Sequence, residues 1–214
     1  ILKGDKIEYD KQLISQLENL GAEMPCPSGT FNPKSGSYSD EDCLSVPEGT
    51  YALEGASQPS LASAGYFVQP GTNHTQVPCP AGSYNPTIGS TSEGSCILAG
   101  KGHFVENNGS KHQIPCPAGT YNNETGSKFP DACLLVPRGH FSLPASSHPE
   151  KCNLGEYQDE ISSQSCKRAP TGHFVDYMGA VFPTPCSAGN LSYVIMENGD
   201  FKPCEILENS YGNI

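Results

Sequence analysis

Aromatic side chains in this chain stand two positions after a glycine nine times over, at intervals of 16, 17 or 20 residues. The triplets are Gly29/Phe31, Gly49/Tyr51, Gly65/Phe67, Gly82/Tyr84, Gly102/Phe104, Gly119/Tyr121, Gly139/Phe141, Gly155/Tyr157 and Gly172/Phe174. Between them the sequence is polar and carries pairs such as Gly126-Ser127, Asn108-Gly109 and Pro70-Gly71, which mark turns that send the chain back. Residues two apart share a face of an extended segment. The pattern therefore predicts very short strands in hairpin-like loops, with the rings pointing inward and stacking from one loop to the next. Units too small to bury an apolar face alone, recurring at fixed spacing, predict a stacked array. The expected fold is small, disulfide-rich and mostly irregular or β, an elongated solenoid of tandem hairpin-like cysteine-rich repeats.

Residues 1–24 follow a different rhythm, without Cys and with Tyr9, Leu13, Leu17 and Leu20 on one helical face. Asp5 and Glu8 resemble a capping box and Gly21 a stop, which predicts a helix of roughly three to four turns. Such a segment either covers the open end of the first repeat or docks into a neighbouring molecule. The predicted organisation is a cap or docking segment at 1–24, tandem repeats at 25–185, and a degenerate last repeat with a C-terminal cap at 186–214.

From Pro25 two kinds of half-repeat alternate. The first opens on Cys-Pro-x-Gly-x-aromatic-Asn and ends in Cys: Cys26 to Cys43, Cys79 to Cys96 and Cys116 to Cys133. Cys152 to Cys166 is a shortened copy, and Cys186 to Cys204 a degenerate one with Leu191 in place of the ring. The second kind carries Gly-x-Phe-Val and finishes in Pro-Cys: Gly65 to Cys79, Gly102 to Cys116 and Gly172 to Cys186, with Gly139-His-Phe-Ser142 to Cys152 as a variant. Between Cys43 and Cys79 the boundary near Ala62 and Ser63 lacks a cysteine. Bridges closing the second kind would strand Cys26 and Cys204 and leave Cys79 without its partner. Bridges closing the first kind pair all ten: Cys26 with Cys43, Cys79 with Cys96, Cys116 with Cys133, Cys152 with Cys166 and Cys186 with Cys204. Sequence alone does not fix connectivity, so a Cys96–Cys116 bridge stays open beside this favoured local set.

Composition agrees with small stapled units. Hydrophobic residues are 36% of the 214, Trp is absent, and there are 23 Gly and 19 Pro, so each unit has a thin core. Disulfides offset that deficit by constraining the unfolded chain, and they persist only in an oxidising compartment. Four Asn-x-Ser/Thr sequons, at Asn73, Asn108, Asn123 and Asn190, point the same way. The expected location is extracellular or cell-surface, through the secretory pathway, with N-linked glycans if the source is a eukaryote. A net charge of −11 argues against binding nucleic acid or anionic lipid, which need clustered Lys and Arg. No run of about 18 apolar residues is present to span a membrane. The start at Ile1, without Met or a signal peptide, suggests a processed or partial chain.

The Cys-Pro-x-Gly-x-Tyr units resemble the ephrin-receptor-like cysteine-rich repeat over about residues 25–190. Tandem arrays of this kind are similar to the ectodomains of ciliate and other protist surface glycoproteins. The family carries a second Cys three residues before Cys-Pro, where this chain has Gln76 and Gln113. The resemblance implies an extracellular structural or binding role, and it brings no catalytic residues.

Other chemistry is weaker. His103, His140 and His173 occupy equivalent positions in successive repeats, one rise apart rather than converging, so a solvated face is expected instead of a metal site. The cysteines lack a Cys-x-x-Cys knuckle for zinc. Asp40-Glu41-Asp42 and the segment from Glu156 to Glu160 lack the spacing of a calcium loop. No nucleophile elbow, phosphate loop or zinc-protease helix is present. The expected function is a non-enzymatic structural glycoprotein without metal or cofactor, a cell-surface coat component or self-assembling filament subunit. Head-to-tail self-association, through the first helix and Tyr193 to Met196, or contact with other extracellular proteins supplies its partners. The alternative is a receptor-like ectodomain that binds a protein or sugar ligand.

Overall fold

The computed structural model describes residues 24–37 and 39–186, with the backbone of Tyr193–Ile195 and Phe201–Pro203. The helix predicted over residues 1–24 lies outside the described residues save for Met24, as do Asn190 and Cys204. The chain divides into two compact units, Ile1–Cys79 with Asn85–Cys96, and Pro80–Tyr84 with Ile97–Ile214.

Both units repeat one device, a two-stranded antiparallel hairpin whose strands are two or three residues long. In the first unit Thr30–Phe31 pairs with Leu44–Ser45, Thr50–Tyr51 with Ser60–Leu61, and Tyr66–Phe67 with Val77–Pro78. The second unit begins with Ser83–Tyr84 against Ile97–Leu98 and His103–Phe104 against Ile114–Pro115. It continues through Thr120–Tyr121, His140–Phe141, Glu156–Tyr157 and His173–Phe174, each paired with the strand that ends its own half-repeat. Tyr193–Ile195 pairs with Phe201–Pro203. Every described triplet therefore opens a hairpin, as its spacing predicts.

Hairpins this short are not stable alone, and their backbones are completed by their neighbours. The N–H of a triplet glycine donates to the residue after the aromatic in the next half-repeat: Gly29 to Ala52 and Gly65 to Asn85 in the first unit. In the second the same bond runs from Gly82 to Val105, Gly102 to Asn122, Gly119 to Ser142, Gly139 to Gln158 and Gly155 to Val175, all at 2.7–3.0 Å. The residue after the aromatic also donates onward, as in Val68 to Ser90 and Val105 to Ser127, both at 2.9 Å. A buried backbone group needs a partner, and here both groups of one buried residue find theirs in adjacent half-repeats.

A second column closes each hairpin. Ala62 and Cys79 in the first unit, and Ala99, Cys116, Val136 and Cys152 in the second, are all 0% exposed. Each donates its N–H to its own triplet glycine carbonyl, and most accept from a turn two half-repeats further on, such as Gly89 to Ala62 and Ala145 to Cys116 at 2.8 and 2.9 Å. Ala62 thus stands in the cysteine column. The gap in the cysteine register is a small apolar residue doing the same packing without a bridge.

Four disulfides join Cys26–Cys43, Cys79–Cys96, Cys116–Cys133 and Cys152–Cys166, with no described cysteine free. This is the local pairing, and it removes the Cys96–Cys116 alternative. Cys186 is also disulfide-bonded. Before Cys43, Cys96 and Cys133 stands a 3-10 turn, Asp40–Asp42, Glu93–Ser95 or Pro130–Ala132, whose first carbonyl accepts the cysteine N–H. The Cys152–Cys166 loop is three residues shorter in separation, 14 against 17, and omits that turn.

The rings depart from expectation. Among described triplets only Phe67 and Phe104 are buried, at 5% and 7%, and the other seven rings are half-covered. Alternation explains it: Ser83 and Asn85, or Thr120 and Asn122, flank the ring and take the inner face. The inner hydroxyls have their own role, since Thr50, Ser83 and Thr120 donate to the carbonyls of Pro47, Pro80 and Pro117 at 2.6–2.7 Å.

The largest fully buried polar side chains are the asparagines Asn85 and Asn122, which follow tyrosines. Asn122 accepts the Glu124 N–H at 3.0 Å and donates to the His103 carbonyl and Ser127 Oγ, both at 2.9 Å. Asn85 makes the corresponding bonds to Thr87, Tyr66 and Ser90. In the shortened repeat Gln158 takes this place, accepting from Glu160 and reaching the Ser165 carbonyl at 2.7 Å. Asn122→Ala strands one N–H and one carbonyl at a 1%-exposed position, and is expected to cost about 2–3 kcal/mol in urea unfolding.

The turn of each half-repeat holds one residue in the left-handed region, and it is glycine except at Ala145 and Ser162, with φ of 63° and 60°. Both keep the turn's hydrogen bond, to Cys116 and Val136. Ala145→Gly relieves the strain and keeps the bond. A gain of about 0.5–1 kcal/mol in thermal unfolding is expected, the relief outweighing glycine's entropy.

Candidate functional site

The side chains with chemical potential are distributed along the hairpins, and most are engaged locally. His103, His140 and His173 sit in the first strands of their hairpins, half-buried. Each sets Nδ1 against the carbonyl two residues back, Lys101, Arg138 and Thr171, at 3.0, 3.0 and 3.3 Å. A carbonyl only accepts, so in each of these bonds Nδ1 carries the proton. Among the described residues no group of three metal-ligating side chains converges.

The acidic run has a local use. Asp40–Asp42 is the 3-10 turn before Cys43, and Ser39 Oγ accepts the Glu41 N–H at its start. In the second acidic segment, Lys167 Nζ donates to Asp159 Oδ1 at 2.7 Å and to Glu160 Oε1 at 3.0 Å. Those bonds, Asp159's foremost, push the Lys167 ammonium up to about 12. Lys167 in turn holds Asp159 below the usual carboxylate range. A lowered Asp contributes stability above its unfolded value and loses it as pH falls through the folded one. A raised Lys contributes below its unfolded value and loses it as pH rises through about 12. Lys167→Met is therefore expected to flatten the acid side of the melting-temperature profile below about pH 4. The effect is small, because solvent screens the pair.

Three sequons lie on the outer loops. Asn108 and Asn123 are exposed, and Asn73 is half-buried. Asn108 Oδ1 accepts the Ala81 N–H at 2.8 Å, which leaves its Nδ2 free. Asn73 makes its contacts by backbone, accepting the Ala52 N–H at 3.0 Å. Asn73 also lines a cavity of about 340 Å³ in the first unit, walled by Val46, Val68 and Pro70 and edged by Glu48, Thr91 and Ser92.

The remaining surface feature is apolar. In the second unit Ile97, Leu98, Leu134 and Leu135, on the strands that follow Cys96 and Cys133, are 48–62% exposed, and Phe129 is 58% exposed. Sequence reasoning missed this row, although the dipeptide after each cysteine was there to be read. It missed Gln76 and Gln113 as well. Their Oε1 atoms accept the Ser63 and Gly100 N–H groups at 2.7 and 2.8 Å, closing the half-repeats that have no bridge of their own.

No family model matches the chain, and no curated protein matches it. What the site can do thus rests on its own geometry. The disulfides fit an oxidising compartment, and among the described residues no helix is long and apolar enough to cross a membrane.

Proposed function

We propose that this chain is a non-enzymatic extracellular structural glycoprotein, a cell-surface coat component or self-assembling filament subunit, built as a solenoid of repeats of the ephrin-receptor-like kind. The observation that carries this reading is the repeated hydrogen-bond pattern between consecutive half-repeats. Triplet glycine N–H groups reach the next half-repeat and turn N–H groups reach back two, in both units. Each repeat thereby supplies what its neighbour lacks, which is the energetic logic of stacked arrays. Histidines, buried asparagines and the Asp159, Glu160 and Lys167 cluster are likewise occupied in holding hairpins together. N-linked glycans on Asn73, Asn108, Asn123 and Asn190 complete the proposal.

The exposed Ile97, Leu98, Leu134 and Leu135 favour a second reading, a receptor-like ectodomain with a protein partner, since exposed apolar side chains in number offer a contact surface. Electron microscopy and sedimentation of the purified chain separate the two. Long particles that grow with concentration are expected for a filament subunit. A strictly monomeric species at every concentration, gaining mass only with a partner, would transfer the assignment to the second reading.

A further inference from the structure

We propose that the cavity beside Asn73 is the seat of the glycan carried by Asn73 itself, its first N-acetylglucosamine lying in the cavity. The inference rests on the glycoprotein reading and goes beyond it, because it distinguishes this sequon from the others by its surroundings. Asn108 and Asn123 are exposed, and a sugar on either extends into solvent. Asn73 is half-buried and is part of the cavity wall. Its amide makes no hydrogen bond to any described residue, as the exposed Asn123 amide also makes none, whereas Asn32, Asn85, Asn108 and Asn122 all use theirs on the fold.

The cavity suits that occupant. At about 340 Å³ it is at the small end of ligand sites, roughly 300–1,000 Å³, matched to one sugar ring rather than a chain. Val46, Val68 and Pro70 offer an apolar wall for the ring face and the acetamido methyl. Glu48, Thr91 and Ser92 offer polar groups at the rim for the hydroxyls. Ser92 holds the N-cap position of the 3-10 turn Glu93–Ser95 without spending its hydroxyl on the turn. Because the Asn73 carbonyl accepts the Ala52 N–H, a seated sugar would fasten the turn to the half-repeat before it. A tethered ligand also forgoes most of the entropy of association, so modest contacts suffice.

The test uses the whole chain secreted from a eukaryotic host, with site occupancy read by mass spectrometry and amide exchange compared before and after trimming to one sugar, and after complete removal. The expected result is an occupied Asn73. Exchange at Ala52 should be unchanged by trimming and faster by about fivefold on complete removal. Ser92→Ala should speed exchange at Ala52 in the glycosylated chain and leave it unaltered in Asn73→Gln. An occupied Asn73 whose complete removal leaves Ala52 exchange unaltered overturns the seating. So does an empty Asn73 beside occupied Asn108 and Asn123, which keeps the glycoprotein reading. All described sequons empty would overturn that reading too.

Discussion

Gly102→Ala is expected to abolish the folding of its neighbourhood, with a loss of about 3–5 kcal/mol or failure to be secreted. Two separate costs add at this position. The backbone sits at a φ of 76°, where a β-carbon is strained. The β-carbon would also meet the carbonyl of Ala145 and, at 3.1 Å, that of Ser146, backbone atoms that have no rotamer to yield. Gly102 cannot move aside, since its N–H is bonded to Asn122 and its carbonyl to Cys116, at 2.7 and 2.8 Å. Gly36→Ala is the control, for it has the same φ of 76° and nothing within 4 Å. It isolates the dihedral cost, about 1 kcal/mol. If both variants lose equally in chemical denaturation, close approach between half-repeats is not what fixes the glycine.

The second large effect belongs to the bridges. Replacing Cys116 and Cys133 together by alanine is expected to lower stability by about 3 kcal/mol, the loop-closure entropy for a bridge of this separation. Alanine is the informative substitute because Ala62 and Ala99 hold the same buried column at 0% exposure, and serine would bury a hydroxyl there. The folded hairpin keeps its backbone bonds from Cys116 to Gly102 and from Ala145 to Cys116. The loss should thus appear as a lower denaturation midpoint with native strand content retained below it. The same change at Cys152 and Cys166 should cost slightly less, the separation being 14 rather than 17. A variant as stable as the parent would mean that the half-repeats hold together by stacking alone.

These two expectations show what the sequence disclosed and what it withheld. The triplet period disclosed the hairpins, because glycine with a left-handed turn six or seven residues on leaves the chain little choice but to reverse. The local pairing was the favoured one because bridges closing the second kind of half-repeat would strand Cys26 and Cys204. The inner face was not. The rings drew the eye as the apolar residues, yet two-residue alternation turns their neighbours Ser83 and Asn85 inward. A buried asparagine is invisible to hydrophobic patterning. What marks it is a motif, Asn followed at five residues by Ser, at the buried Asn85 and Asn122 and again at the half-buried Asn32. Gln76 and Gln113 were read only as absent cysteines, since the amide acceptor they bring to Ser63 and Gly100 depends on a chain reversal that composition does not encode. Asn73 was legible as a sequon, but the cavity beside it arises from Val46, Val68 and Thr91, three half-repeats brought together by folding.

The onward and backward reach of each half-repeat has an evolutionary corollary. A turn bonds to the chain two hairpins earlier, as Gly89 to Ala62 and Ala145 to Cys116. Between Cys43 and Cys79 two hairpins stand where strict alternation would place one, and the same bonds run through them, from Gly65 to Asn85 and from Gly89 to Ala62. Arrays of this design therefore tolerate a change of one hairpin in their number, because the donors and acceptors that join neighbours are backbone groups that every hairpin carries.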